Sequence, residues 1–86
     1  MDRLELRERL LSLASARQGE ATLCPSEVAR SLSDDWRSLM PAVREVADEL
    51  INEGVMECTQ RGRVIPSAVQ AKGPIRLRLR RVSLAD

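Results

Sequence analysis

Gly54-Val55-Met56-Glu57-Cys58-Thr59-Gln60-Arg61-Gly62-Arg63-Val64-Ile65 decides how this chain folds, because the hydrophobic period changes inside it. Before Gly54, apolar residues recur at three- and four-residue intervals, the spacing of one helix face. After it, residues 55–60 read as a strand, Arg61-Gly62 as a tight turn, and residues 63–65 as the returning strand. Gly54 itself is the natural stop for the helix that precedes it.

Working back from Gly54, Val43, Val46, Ala47, Leu50 and Ile51 form the buried stripe of a third main helix. Pro41 disfavours a helical conformation at Met40. The expectation is therefore a brief turn through Trp36, Arg37 and Leu39, capped by Ser33-Asp34-Asp35, and then a separate helix over about 41–53. A second helix starts at Pro25, a residue suited to the first helical position, with Val28, Ala29 and Leu32 facing inward. Glu27 is the acidic half of a capping box in which Cys24 replaces the usual hydroxyl residue. The first helix spans about 2–17, with Leu6, Leu10, Leu13 and Ala14 on one face and Leu4 and Leu11 widening it. Arg3, Glu5, Arg7, Glu8 and Arg9 fill the other face, Glu5 and Arg9 standing in the favourable i,i+4 order. Gln18-Gly19-Glu20 ends it, with Gly19 as a C-cap.

Beyond the hairpin, residues 66–73 have no periodicity and read as a loop. Ile75-Arg76-Leu77-Arg78-Leu79-Arg80 alternates strictly, the pattern of a strand with one buried and one cationic face. The expected architecture is α+β in one domain over 1–86: three helices, a hairpin and a basic C-terminal strand. That is the element order of a winged helix, with helices two and three as the helix-turn-helix and residues 55–66 as the wing.

Charge is distributed unevenly over these elements. Residues 1–57 hold 12 of the 13 carboxylates and only 7 arginines, whereas residues 58–85 hold seven cations and no acid. The net charge of +1 conceals this opposition. A charged partner follows from it, nucleic acid first. With no Phe or Tyr and a single Trp, the chain has no platform for stacking unpaired bases, so the expected target is the duplex backbone.

The segments Cys24-Pro25-Ser26-Glu27-Val28-Ala29-Arg30 and Trp36-Arg37-Ser38-Leu39-Met40-Pro41-Ala42-Val43-Arg44 carry a resemblance, together with Gly54, Gln60-Arg61-Gly62 and Gly73-Pro74-Ile75-Arg76. Over residues 6–79 the chain resembles the domain-of-unknown-function family 3253, a small bacterial family. The resemblance implies a winged-helix fold and carries no activity with it.

Candidate nucleic-acid contacts are Arg61 and Arg63 at the wing tip, Lys72, Arg76, Arg78 and Arg80 along the basic strip, and Arg44 as a base reader. The third helix argues against base reading, because its outward face holds Arg44 among Glu45, Asp48, Glu49 and Glu53, which phosphates repel. Those acids, with the Leu-rich first helix, support the alternative of a protein-interaction module, self-associating or with another partner. Trp36 reads as a core anchor with its indole N–H on a carbonyl, and Arg37 as a brace for Asp34 or Asp35. No cofactor or small-molecule ligand is indicated. With no His and only Cys24 and Cys58, no four-ligand zinc site can form, and the two cysteines read as structural thiols. A glycine-rich phosphate loop and a nucleophile–base pair are also missing, so a binding module is expected rather than an enzyme. No apolar run reaches membrane-spanning length, and a cytoplasmic setting is the expectation.

Overall fold

The computed structural model describes residues 2–17 and 21–80. Helix α1 (Arg3–Ala16) starts where the Asp2 carboxylate accepts the N–H of Leu4 at 3.2 Å, satisfying one of the free donors of the first turn. Leu6, Leu10 and Ala14 are its buried face. Leu4 does not widen that face: it is 58% exposed. Arg9 turns away from Glu5 and donates to the Ser31 carbonyl at 3.0 Å, near the end of the second helix, where carbonyls lack helical partners. The expected cap at Gly19 lies outside the described residues.

Helix α2 (Pro25–Leu32) carries the expected capping box in a weakened form. Glu27 Oε1 accepts the Cys24 N–H at 3.3 Å, and Ser26 Oγ donates to the Cys24 sulfur at 3.1 Å. Val28 and Ala29 are fully buried, while Leu32 packs on the core from a half-buried position.

Helix α3 (Trp36–Asn52) corrects the expected break at Pro41: it is continuous, and the proline lies within it. Pro41 is the sixth residue, so its missing N–H leaves only the Arg37 carbonyl without its helical donor. An interior proline costs about 3 kcal/mol. Trp36, Leu39 and Met40 pack against the core in return, each worth roughly 1–2 kcal/mol when partly buried. Tertiary packing therefore outweighs the local preference at Met40. The helix ends in a Schellman motif: Gly54 N–H bonds the Ile51 carbonyl and Val55 N–H the Leu50 carbonyl, both at 3.0 Å. Gly54 adopts φ +79, which a side chain would resist.

Strands β1 (Met56–Gln60), β2 (Arg63–Ile65) and β3 (Arg76–Leu79) form an antiparallel sheet in the order β2-β1-β3. Gln60 pairs with Arg63, leaving Arg61 and Gly62 as a two-residue turn with φ +54 and +81, the type I′ geometry that matches sheet twist. Beyond β3, Leu23 forms an antiparallel bridge with Leu77, so the segment before α2 touches the sheet. Ile75 and Leu77 are buried and Arg76 is exposed, as alternation requires. Leu6, Leu10, Val43, Val46, Leu50, Met56 and Leu77 belong to a single buried core cluster shared by helices and sheet. Among the described residues no helix is long and apolar enough to cross a membrane.

Candidate nucleic-acid interface

The outward face of α3 is already occupied. Arg44 donates to the carbonyls of Ala68, Ala71 and Gly73, all at 3.0 Å. One turn further on, Asp48 accepts from Ser67 Oγ at 2.7 Å and from the Ala68 and Val69 N–H groups at 2.5 and 3.4 Å. Ser67 Oγ in turn accepts the Gln70 N–H at 3.1 Å, and Ala68 is completely buried. Arg44 and Asp48 thus clamp the 66–74 loop onto the helix. The guanidinium expected to read bases is spent on backbone carbonyls.

The remaining acids of α3 face α1. Glu45 and Glu49 both pair with Arg3, the former at 2.8 Å, and Glu53 pairs with Arg7 through two hydrogen bonds of 2.6 and 2.7 Å. The two arginine bonds hold the Glu53 carboxyl below its ordinary range and raise Arg7. Arg3 is raised in the same way by its bonds to Glu45 and Glu49. Each of these acids has a cation beside it, so the negative face that the sequence displays is largely neutralised within the domain.

The hairpin tip differs. Arg61, Gly62 and Arg63 are exposed, and Lys72 is brought beside them by Gln60, whose Nε2 donates to the Lys72 carbonyl at 2.6 Å and the Pro74 carbonyl at 3.3 Å. Two open hollows of about 420 and 660 Å³ meet at Gln60, Arg61 and Lys72. The first also has Arg76 in its wall, the second Arg63, and neither is lined by an acid. Among the described residues Arg61, Arg63 and Lys72 make no ion pair. Arg61 holds left-handed backbone, a conformation that costs an ordinary side chain roughly 1–2 kcal/mol and that Asn or Gly takes more easily.

The basic strand divides in two. Arg76 is fixed to Thr22, donating from Nε to Oγ1 at 2.9 Å and from Nη2 to the carbonyl at 3.0 Å, and it joins the tip cluster. Arg78 faces Glu57 across the β1–β3 pair, with nitrogen and oxygen 3.8 Å apart. Arg80 lines a different hollow, with Glu57, Val64 and Ile65. The cations expected to form one strip are therefore interrupted at Glu57. Of the seven candidates, Arg61, Arg63, Lys72 and Arg76 are gathered around Gln60; Arg44, Arg78 and Arg80 are not.

Gln60 stands in the Gln60-Arg61-Gly62 segment of the resemblance, but nothing in the sequence marks its tethering role, and nothing marks the clamp. An Arg and an Asp four residues apart on α3 were visible, but their partners lie 19–29 residues away, beyond any local pattern. Trp36 packs on the core from a half-buried position. The guanidinium carbons of Arg30 and Arg37 each stand 4.4 Å from its ring centroid, so Arg37 stacks on the indole instead of bracing an aspartate. Cys24 and Cys58 are free thiols, and burial pushes Cys58 up to about 11.

Three helices, a three-stranded antiparallel sheet and an acid-free cationic tip define a small α+β domain. The chain belongs to the DUF3253 family, described as a protein of unknown function, which it matches over residues 3–80. No curated protein matches it.

Proposed function

We propose that this domain is a winged-helix-like module that binds duplex nucleic acid, DNA first, through the sugar–phosphate backbone. The hairpin tip is the main contact, with Arg61, Arg63, Lys72 and Arg76 meeting phosphates. The observation that supports this reading is the set of exposed cations around Gln60 with no carboxylate in the walls between them. Backbone contact without base reading fits the rest of the surface, because Arg44 is committed to the 66–74 loop and Glu45, Glu49 and Glu53 to α1. Such binding is electrostatic and sequence-tolerant. Fluorescence anisotropy with two unrelated duplexes at low and high salt tests it. We expect similar affinity for both, weakened by salt, and loss of binding in Arg61→Glu with Arg63→Glu. No binding at low salt, or binding indifferent to that double reversal, sinks the proposal.

A protein-interaction module is the second reading. Its support is now the outer edge of β2, where Val64 is 57% exposed. Light scattering distinguishes self-association from a monomer whose only salt-sensitive partner is the duplex.

A further inference from the structure

The hollow between the hairpin tip and the 66–74 loop has features that a diffuse cationic surface lacks. Its loop wall is held from behind: the carbonyls of Ala68, Ala71 and Gly73 accept from Arg44, and those of Lys72 and Pro74 from Gln60. Of these acceptors, Lys72, Gly73 and Pro74 line the hollow, and each is already engaged by a donor. Arg76 is immobilised by its two bonds to Thr22, which use Nε and Nη2 and leave Nη1 free among the described residues. Arg61 is fixed at the tip by the I′ turn, and Lys72 follows from the loop that Gln60 tethers. Three cations on three separate segments thus border one hollow of about 420 Å³.

We propose that this hollow seats a single phosphate group of the nucleic-acid backbone, bound by Arg61, Lys72 and the free Nη1 of Arg76. The seat rests on the backbone-binding reading and gives one phosphate a fixed place, whereas Arg63, which lines only the neighbouring hollow, meets an adjacent phosphate. Arg76, held by two hydrogen bonds, loses less entropy on binding than a free side chain, which is the physical advantage of the arrangement.

Inorganic phosphate tests the seat without any duplex. In amide-detected NMR, with chloride adjusted to constant ionic strength, we expect saturable shifts at Gln60, Arg61, Lys72 and Gly73 and at the Arg76 Nε–H. Lys72→Gln weakens phosphate about threefold, the scale of one exposed charge pair. Arg61→Asn does the same while keeping a residue suited to the left-handed turn, so a folding defect does not confuse the result. Arg80→Gln, in a different hollow, leaves phosphate affinity unchanged. Shifts that grow without saturating, or an Arg80→Gln effect equal to that of Lys72→Gln, overturn the seat. The same samples with a short random-sequence duplex separate the two readings. Saturable phosphate with no duplex binding rejects the nucleic-acid reading alone, and duplex binding with unsaturable phosphate rejects the seat alone.

Discussion

Replacing Arg44 by Met keeps the aliphatic stem and removes the guanidinium that holds the 66–74 loop. Three hydrogen bonds of 3.0 Å are lost, two of them to the carbonyls of Ala68 and Ala71 at part-buried positions and one to the exposed Gly73 carbonyl. Bonds from a charged donor contribute about 1.5–3 kcal/mol each when water cannot replace them. Water reaches part of this site, so about 1 kcal/mol for each part-buried bond and less for the third gives a loss of roughly 2–3 kcal/mol. For a domain of this size each kcal/mol moves Tm by about 4–8 °C, so Arg44→Met should melt roughly 10–20 °C lower. Thermal unfolding followed by circular dichroism reads this directly, with duplex affinity measured well below the melting transition. A melting point within about 2 °C of the parent, together with a large loss of affinity, would falsify the clamp and restore Arg44 as a base reader.

Three further outcomes follow from individual residues. Arg61→Asn relieves the left-handed strain at φ +54 and should raise stability by about 0.5–1 kcal/mol while weakening duplex binding; urea unfolding and anisotropy on one preparation check both signs, and a stability loss contradicts the I′ turn. The Glu53 carboxyl is lowered by Arg7, so its contribution to stability is complete above the ordinary carboxylate value of 4.5 and fades as pH falls through the lower folded value. Glu53→Gln should flatten that part of the acid unfolding profile, and an unchanged profile refutes the pairing. Cys58 is completely buried and pushed up to about 11 by desolvation, so it should react with a thiol reagent near pH 8 only as fast as the domain opens. Mass spectrometry of partially labelled protein checks this, and rapid native labelling of Cys58 contradicts it.

Features set by local chemistry could be read before the fold. Gly54 marks the Schellman end, Arg61-Gly62 the turn, and the alternation from Ile75 the split between buried and cationic faces. Pro41 misled because its penalty is local, whereas the packing of Trp36, Leu39 and Met40 that offsets it is tertiary. The spacing on α3 marks a polar face, but amphipathic spacing does not say what a face meets. Arg3 and Arg7 reach Glu45, Glu49 and Glu53 from more than 40 residues away, and the 66–74 loop arrives from the other side. Of the candidate site, the hairpin-tip arginines are legible because a turn must expose its central residues. The separation of Arg78 and Arg80 from Arg76 was not, since it depends on Glu57 standing opposite Arg78 in the sheet register.

Backbone contact by the tip cluster is tested most directly by the salt dependence of binding to a random-sequence duplex. One phosphate held by Arg61, Lys72 and Arg76 and a second met by Arg63 give a slope of log affinity against log salt of about −1.8, and Arg61→Gln with Arg63→Gln, which removes the second contact, should bring it to about −0.9. A slope that stays the same in the double variant, or no measurable binding at low salt, contradicts contact through the hairpin tip.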